Sequence, residues 1–135
     1  MVASPKHYAV HSGPEPERHE FNAVTNKRDL YDTYLPAFEA SIKEGGAFSV
    51  MCAYNAYMGQ PCCANATLQN EILRDQWGFE GYIVSDCGAI DDILIDHKTV
   101  ETEPETAAIS VKGGTDLNCG DYRNKRYHMY KSLVE

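Results

Sequence analysis

Gly81-Tyr82-Ile83-Val84-Ser85-Asp86-Cys87-Gly88 reads as a short apolar strand that runs straight into a carboxylate and then a glycine. An apolar run without polar alternation is what a strand covered on both faces needs, the condition found in parallel sheets. Outward from it, three more β-rich runs can be found: a segment ending at Lys6-His7, Ala47–Cys52, and Thr115–Leu117. They recur at intervals of roughly 33 to 43 residues.

Helical patterns fill the intervals. Leu30, Tyr34, Leu35, Phe38 and Ile42 share one helical face, and Gly45-Gly46 stop it. Pro36 predicts a kink there, or a helix proper that begins near Pro36. Leu68, Ile72 and Leu73 form a second stripe, with Thr67 as the expected N-cap and Gly78 beyond the C-terminus. A third helix is expected after Gly88, carrying Ile90, Ile93 and Leu94; a fourth starts near Pro104 and runs to Gly113-Gly114. Alternating strands and helices define an α/β fold with parallel strands. Right-handed crossovers then leave a doubly wound sheet or part of a (β/α)8 barrel. No GxGxxG or GxxxxGK[ST] loop follows a strand, which favours the barrel.

Each strand end meets polar residues: Lys6-His7, Tyr54-Asn55, Asp86, then Asp116 and Asn118. In βα barrels that edge carries the chemistry, because all strand ends converge on one face. Asp86 suits a nucleophile held rigidly at the mouth of a cleft, or equally a helix N-cap for the segment after Gly88. Lys6 and His7 could hold vicinal hydroxyls, and Tyr54 and Asn55 offer a hydroxyl and an amide. Arg18 and His19 lie in a loop of about twenty residues, a length that usually signals function.

Composition bounds the rest. The formal net charge of −8 argues against a nucleic-acid partner, which would need clustered Lys and Arg. Apolar and charged fractions of 43% and 24% are those of an ordinary globular domain. No apolar run is long enough for a membrane span, and no signal peptide is visible at the N-terminus. Five cysteines, Cys52, Cys62, Cys63, Cys87 and Cys119, lack zinc-like spacing, and free thiols are the expectation. His7, His11 and His19 with Asp86 could be read as a metal site, but no His-x-His pair is present and no metal or cofactor is expected. Asn65-Ala66-Thr67 fits the glycosylation acceptor pattern, yet it falls where a helix begins and capping explains it better. Asp121 to Glu135 is basic and Tyr-rich, as a solvated helix face would be.

Three motifs carry a resemblance: Lys6-His7-Tyr8-Ala9-Val10-His11-Ser12-Gly13-Pro14-Glu15, Val50-Met51-Cys52-Ala53-Tyr54-Asn55, and Gly78-Phe79-Glu80-Gly81-Tyr82-Ile83-Val84-Ser85-Asp86-Cys87-Gly88. In register from about Pro5 to Gly120, the chain resembles glycoside hydrolase family 3. The resemblance implies a (β/α)8 barrel of which residues 1–135 hold about the C-terminal half. It also implies retaining hydrolysis of β-linked glucosides or xylosides, and a parent expected to be periplasmic or secreted. It places the nucleophile on Asp86 and sugar contacts on Lys6, His7, Tyr54 and Arg18, and it takes the acid/base from outside this chain. Cys87 in place of the Trp of many members looks more like the β-xylosidase branch. Half a barrel leaves open sheet edges, so self-association is expected of the segment alone, with little turnover. The alternative is a carbohydrate-binding fragment without chemistry.

Overall fold

The computed structural model describes residues 1–11 and 13–120; the tail from Asp121 to Glu135 lies outside them. After a 3₁₀ turn at Glu15–Glu17 come β1 (Asn22–Ala23), α1 (Lys27–Asp29), a π-helical turn Leu30–Tyr34, and α2 (Pro36–Lys43). Next are β2 (Ser49–Cys52), β3 (Ala56–Tyr57), β4 (Gln60–Pro61), a 3₁₀ turn Cys62–Ala64, and a π helix Thr67–Gln76. The order closes with β5 (Tyr82–Ser85), α3 (Ala89–Ile95) and α4 (Glu103–Gly113).

The break expected at Pro36 is there. Leu35 N–H donates to Leu30 O at 3.0 Å, ending the π turn, and Pro36 opens α2 where its missing N–H costs nothing. The expected cap at Thr67 is corrected. Asn65 accepts from Leu68 N–H at 3.1 Å, and its amide donates to Tyr57 O at 3.2 Å. The carboxamide has its acceptor oxygen and donor nitrogen on separate atoms, so one side chain serves the helix end and Tyr57 O at once. This also buries the Asn of the acceptor pattern, 3% exposed, away from any glycan. On α4, Thr102 and Glu105 form a capping box just before Pro104's turn.

β2 and β5 pair in parallel, Ser49 with Tyr82 through Cys52 with Ser85. The two outer β runs of the sequence contribute single bridges: Tyr8 pairs in parallel with Cys52, and Leu117 with Val84. So the order in space, Tyr8, β2, β5, Leu117, is the order in sequence, and every neighbour is parallel. Among the described residues the strand order never reverses. A second, small sheet of order β1-β3-β4 joins Asn22–Ala23 to a hairpin whose turn, Met58-Gly59, has φ of 52° and 82°.

The core lies between the parallel strands and the helices. Tyr8 is wholly buried, stacks edge-on against Phe38 and Trp77 at 5.0 and 6.0 Å, and donates to Leu68 O at 2.8 Å. Gly113 meets the turn Cys62–Ala64 so closely that a Cβ there would stand 2.5 Å from the Ala64 carbonyl carbon. Asp116 proves structural: its Oδ2 accepts from Ile83 N–H and from Arg74 Nη2, both at 2.7 Å, fastening Thr115–Leu117 to β5.

The expectation of free thiols is corrected. Cys52 is bonded to Cys63 and Cys87 to Cys119, leaving Cys62 free and buried, its thiol pushed up to about 12 by burial. Sequence separations of 11 and 32 residues follow no motif. The pairs form because Cys63 turns back beneath β2 and Cys119 runs beside the end of β5.

Candidate active site

Asp86 stands at the carboxyl end of β5, 9% exposed. Its backbone N–H donates to Cys52 O at 3.3 Å, so the β2–β5 ladder fixes its Cα. Its carboxylate is fixed twice more: Oδ1 accepts from Cys87 N–H at 2.8 Å, and Oδ2 faces His7 Nε2 at 3.0 Å. The N-cap of α3 is Gly88, in the left-handed region at φ 91°, with no side-chain cap bond. Asp86 is therefore not spent on capping, and the glycine lets the chain turn sharply away behind it.

The first strand end brings His7 to Asp86, and His7 packs against His11 with ring centres 4.8 Å apart. Lys6 is exposed beside it. His11 is turned toward Asn55, Nδ1 to Oδ1 at 3.3 Å. Asn55 is buried and donates to Ala56 O at 3.0 Å, with longer contacts to Ala9 O and Val10 O, so it knits the loop after Tyr8 rather than facing the cleft.

Tyr54, from the end of β2, reaches across to donate its hydroxyl to Cys87 O at 2.8 Å. Burial, and then the Asp86 charge, raise its pKa above the ordinary phenol value, so the phenol stays protonated and remains a donor. The Arg18 guanidinium lies 5.2 Å above the Tyr54 ring, and the His19 ring stands 4.3 Å from the same ring. His97 Nε2 lies 2.8 Å from Tyr54 O. Thus Asp86, His7, Tyr54 and Arg18 share one face with Lys6 at its edge; His19, expected as a loop residue, meets Asp92, and neither Asp92 nor His97 is among the residues the sequence points to. Their partners sit 43 to 73 residues away in sequence, and only the parallel strand order brings them together. Among the described residues, no group of three His, Cys, Asp or Glu side chains is placed to hold a metal ion.

His7 carries a testable pH dependence. Burial holds its imidazole below the ordinary 6.5, against the pull of Asp86 and with added push from His11, Lys6 and Arg18. A depressed histidine favours the neutral form in the fold. Its contribution to stability is therefore full above pH 6.5 and is lost as pH falls through the lower folded value. Wild type should lose denaturant midpoint relative to His7→Gln between pH 7.5 and 5. A constant difference over that range would contradict the assignment.

An α/β domain with parallel strands in sequence order, and a buried carboxylate facing an imidazole at their carboxyl ends, is the class of structure at hand. The family model described as the glycosyl hydrolase family 3 N terminal domain matches residues 1–135, and the chain belongs to that family. It is 44% identical to a xylan 1,4-beta-xylosidase of Xylanibacter ruminicola over its whole length, covering 15% of that protein. It is 45% identical to a probable beta-D-xylosidase 6 of Arabidopsis thaliana over 78% of the chain and 13% of that protein. Among solved structures it is similar to a GH3 exo-beta-xylosidase bound to a xylobiose aziridine activity-based probe, with TM-score 0.91 and 30% identity over 99% of this chain and 18% of the other. A β-glucosidase from Erythrobacter marinus gives TM-score 0.89 and 31% identity, again over 99% and 18%. The chain spans about 15% of the length of the curated relatives it matches.

Proposed function

We propose that the protein carrying these residues is a retaining β-glycosidase that cleaves β-linked xylosides, with Asp86 as its nucleophile. The observation that carries this reading is the doubly fixed Asp86 carboxylate at the carboxyl end of β5. The four parallel strand segments in sequence order are half of a (β/α)8 barrel, whose open edges at Tyr8 and Leu117 pair with further strands, or with other copies when the segment stands alone. A xyloside is favoured by the names of the curated relatives and by Cys87 next to the nucleophile. The likeness to β-glucosidase structures makes a β-glucoside the second reading.

In the reaction, Asp86 attacks the anomeric carbon as the bond to the leaving oxygen breaks. A carboxylic acid about 5–5.5 Å away, supplied from outside this chain, protonates that oxygen. Water then hydrolyses the glycosyl ester, and Asp86 leaves as the carboxylate. His7 steadies Asp86, and Tyr54, Arg18, Lys6 and His7 meet the sugar hydroxyls as positive charge develops on the ring. Two disulfides suit an oxidising compartment, so a periplasmic or secreted location belongs to the same reading.

Trapping tests it. The full natural chain, incubated with an activated 2-deoxy-2-fluoro-β-xyloside and digested, should yield one peptide heavier by the fluoroxylosyl group at Asp86. A turnover-competent protein labelled on another carboxylate would remove Asp86 from the role. A protein that binds xylose but takes no label would be the carbohydrate-binding alternative.

A further inference from the structure

We propose that His19 and Asp92 are positioning residues that set the orientation of Arg18 over Tyr54 and thereby the grip of the site on its sugar; this deepens the glycosidase reading and rests on it.

Asp92 lies on α3, 7% exposed, and touches none of Asp86, Tyr54 or Arg18 in a hydrogen bond. Its Oδ2 is 2.7 Å from His19 Nδ1. The other imidazole nitrogen, Nε2, lies 3.1 Å from Arg18 Nε. Arg18 never gives up its protons, so Nε can only donate; an ionised carboxylate can only accept. One tautomer satisfies both: His19 keeps its proton on Nδ1, donates that N–H to Asp92 Oδ2, and accepts from Arg18 through the Nε2 lone pair. The carboxylate thus fixes which nitrogen of His19 faces Arg18 with a lone pair.

Arg18 is clamped on a second side by Glu15, Nη1 to Oε1 at 2.6 Å. Its guanidinium is then held over the Tyr54 ring, whose hydroxyl is tied to the carbonyl of Cys87, one residue past Asp86. His19 also stacks on Tyr54 directly. A line of contacts therefore runs from Asp92 through His19 to Arg18 and Tyr54, and ends at the peptide that follows Asp86. Asp92 and His19 act on the sugar through these neighbours.

A double-mutant cycle in the full natural chain tests the inference, with wild type, Asp92→Asn, Arg18→Ala and the double variant. The carboxamide at position 92 can donate to Nδ1, which moves the ring proton to Nε2 against Arg18 Nε–H and releases the guanidinium. With an aryl β-xyloside, Asp92→Asn should raise KM about tenfold and leave kcat within about twofold. Arg18→Ala should do at least as much, and the double variant should be no worse than Arg18→Ala alone, because Asp92 works through Arg18. Full additivity would overturn the inference, as would an Asp92→Asn protein with unchanged KM and only a lower melting temperature. Affinity for D-xylose, measured by calorimetry on the same four proteins, should follow the same non-additive pattern. A wild type that binds xylose without turnover sinks the nucleophile assignment while the cycle still decides on the pair; a wild type that does neither sinks both.

Discussion

Asp86→Asn should cut kcat on an aryl β-xyloside by roughly 10⁴–10⁶ in the full natural chain, the range seen when a covalent nucleophile is removed from an otherwise intact site. The fold should tolerate the change. A carboxamide oxygen can still accept from Cys87 N–H, and the backbone bond from Asp86 N–H to Cys52 O involves no side chain. The melting temperature should hold and xylose should still bind, since Tyr54 and Arg18 keep their own supports. On the proposed mechanism, what disappears is the negative charge that attacks the anomeric carbon. An amide oxygen is a poor nucleophile, and no other described carboxylate faces the same spot: Asp92 is engaged with His19 and Asp116 with Arg74. Retention of more than about a hundredth of the wild-type kcat would mean that Asp86 only assists, since assistance of the acid–base or electrostatic kind is worth about 10²–10⁴.

Asp86 was legible because strand, carboxylate and glycine are adjacent in sequence, and local order alone places the carboxylate at a strand end. The same holds for β2 and β5, for the break at Pro36 and for α4, whose Pro104 and Gly113-Gly114 mark both ends. Two kinds of feature were not legible. β1, β3 and β4 have two residues each, too few for any periodicity to declare itself. The contacts of His19 with Asp92, of His97 with Tyr54, and of each cysteine with its partner depend on strand order, which appears only once the chain has folded back on itself. Asn65 shows a third limit. Both it and Thr67 are good caps by type, and the choice fell to Asn65 because its amide could also reach Tyr57 O.

Replacing both Cys52 and Cys63 by Ala should lower unfolding stability by about 3 kcal/mol, with the largest losses nearest β2. Closure of a short loop in the unfolded chain sets most of that figure, given a separation of 11 residues. Burial adds to it. Both sulfurs are sealed in the core, at 0% and 1% exposure, so their removal also leaves unfilled space. A single substitution would be a poor probe, because it frees one sulfur beside buried Cys62 and invites a new pairing. The double variant leaves Cys62 alone, and burial keeps that thiol protonated. The consequence should reach the active site. Cys52 ends β2, bridges Tyr8, pairs with Ser85 and offers the carbonyl that holds Asp86 N–H, so it is the point where the Tyr8 segment and β2 are tied to β5 and Asp86. Denaturant midpoints and hydrogen-exchange protection at Asp86 N–H should fall together in the variant. An unfolding free energy within about 1 kcal/mol of wild type, with unchanged protection at Asp86, would mean that packing around Tyr8 and Ile83 holds the strand ends without the bond.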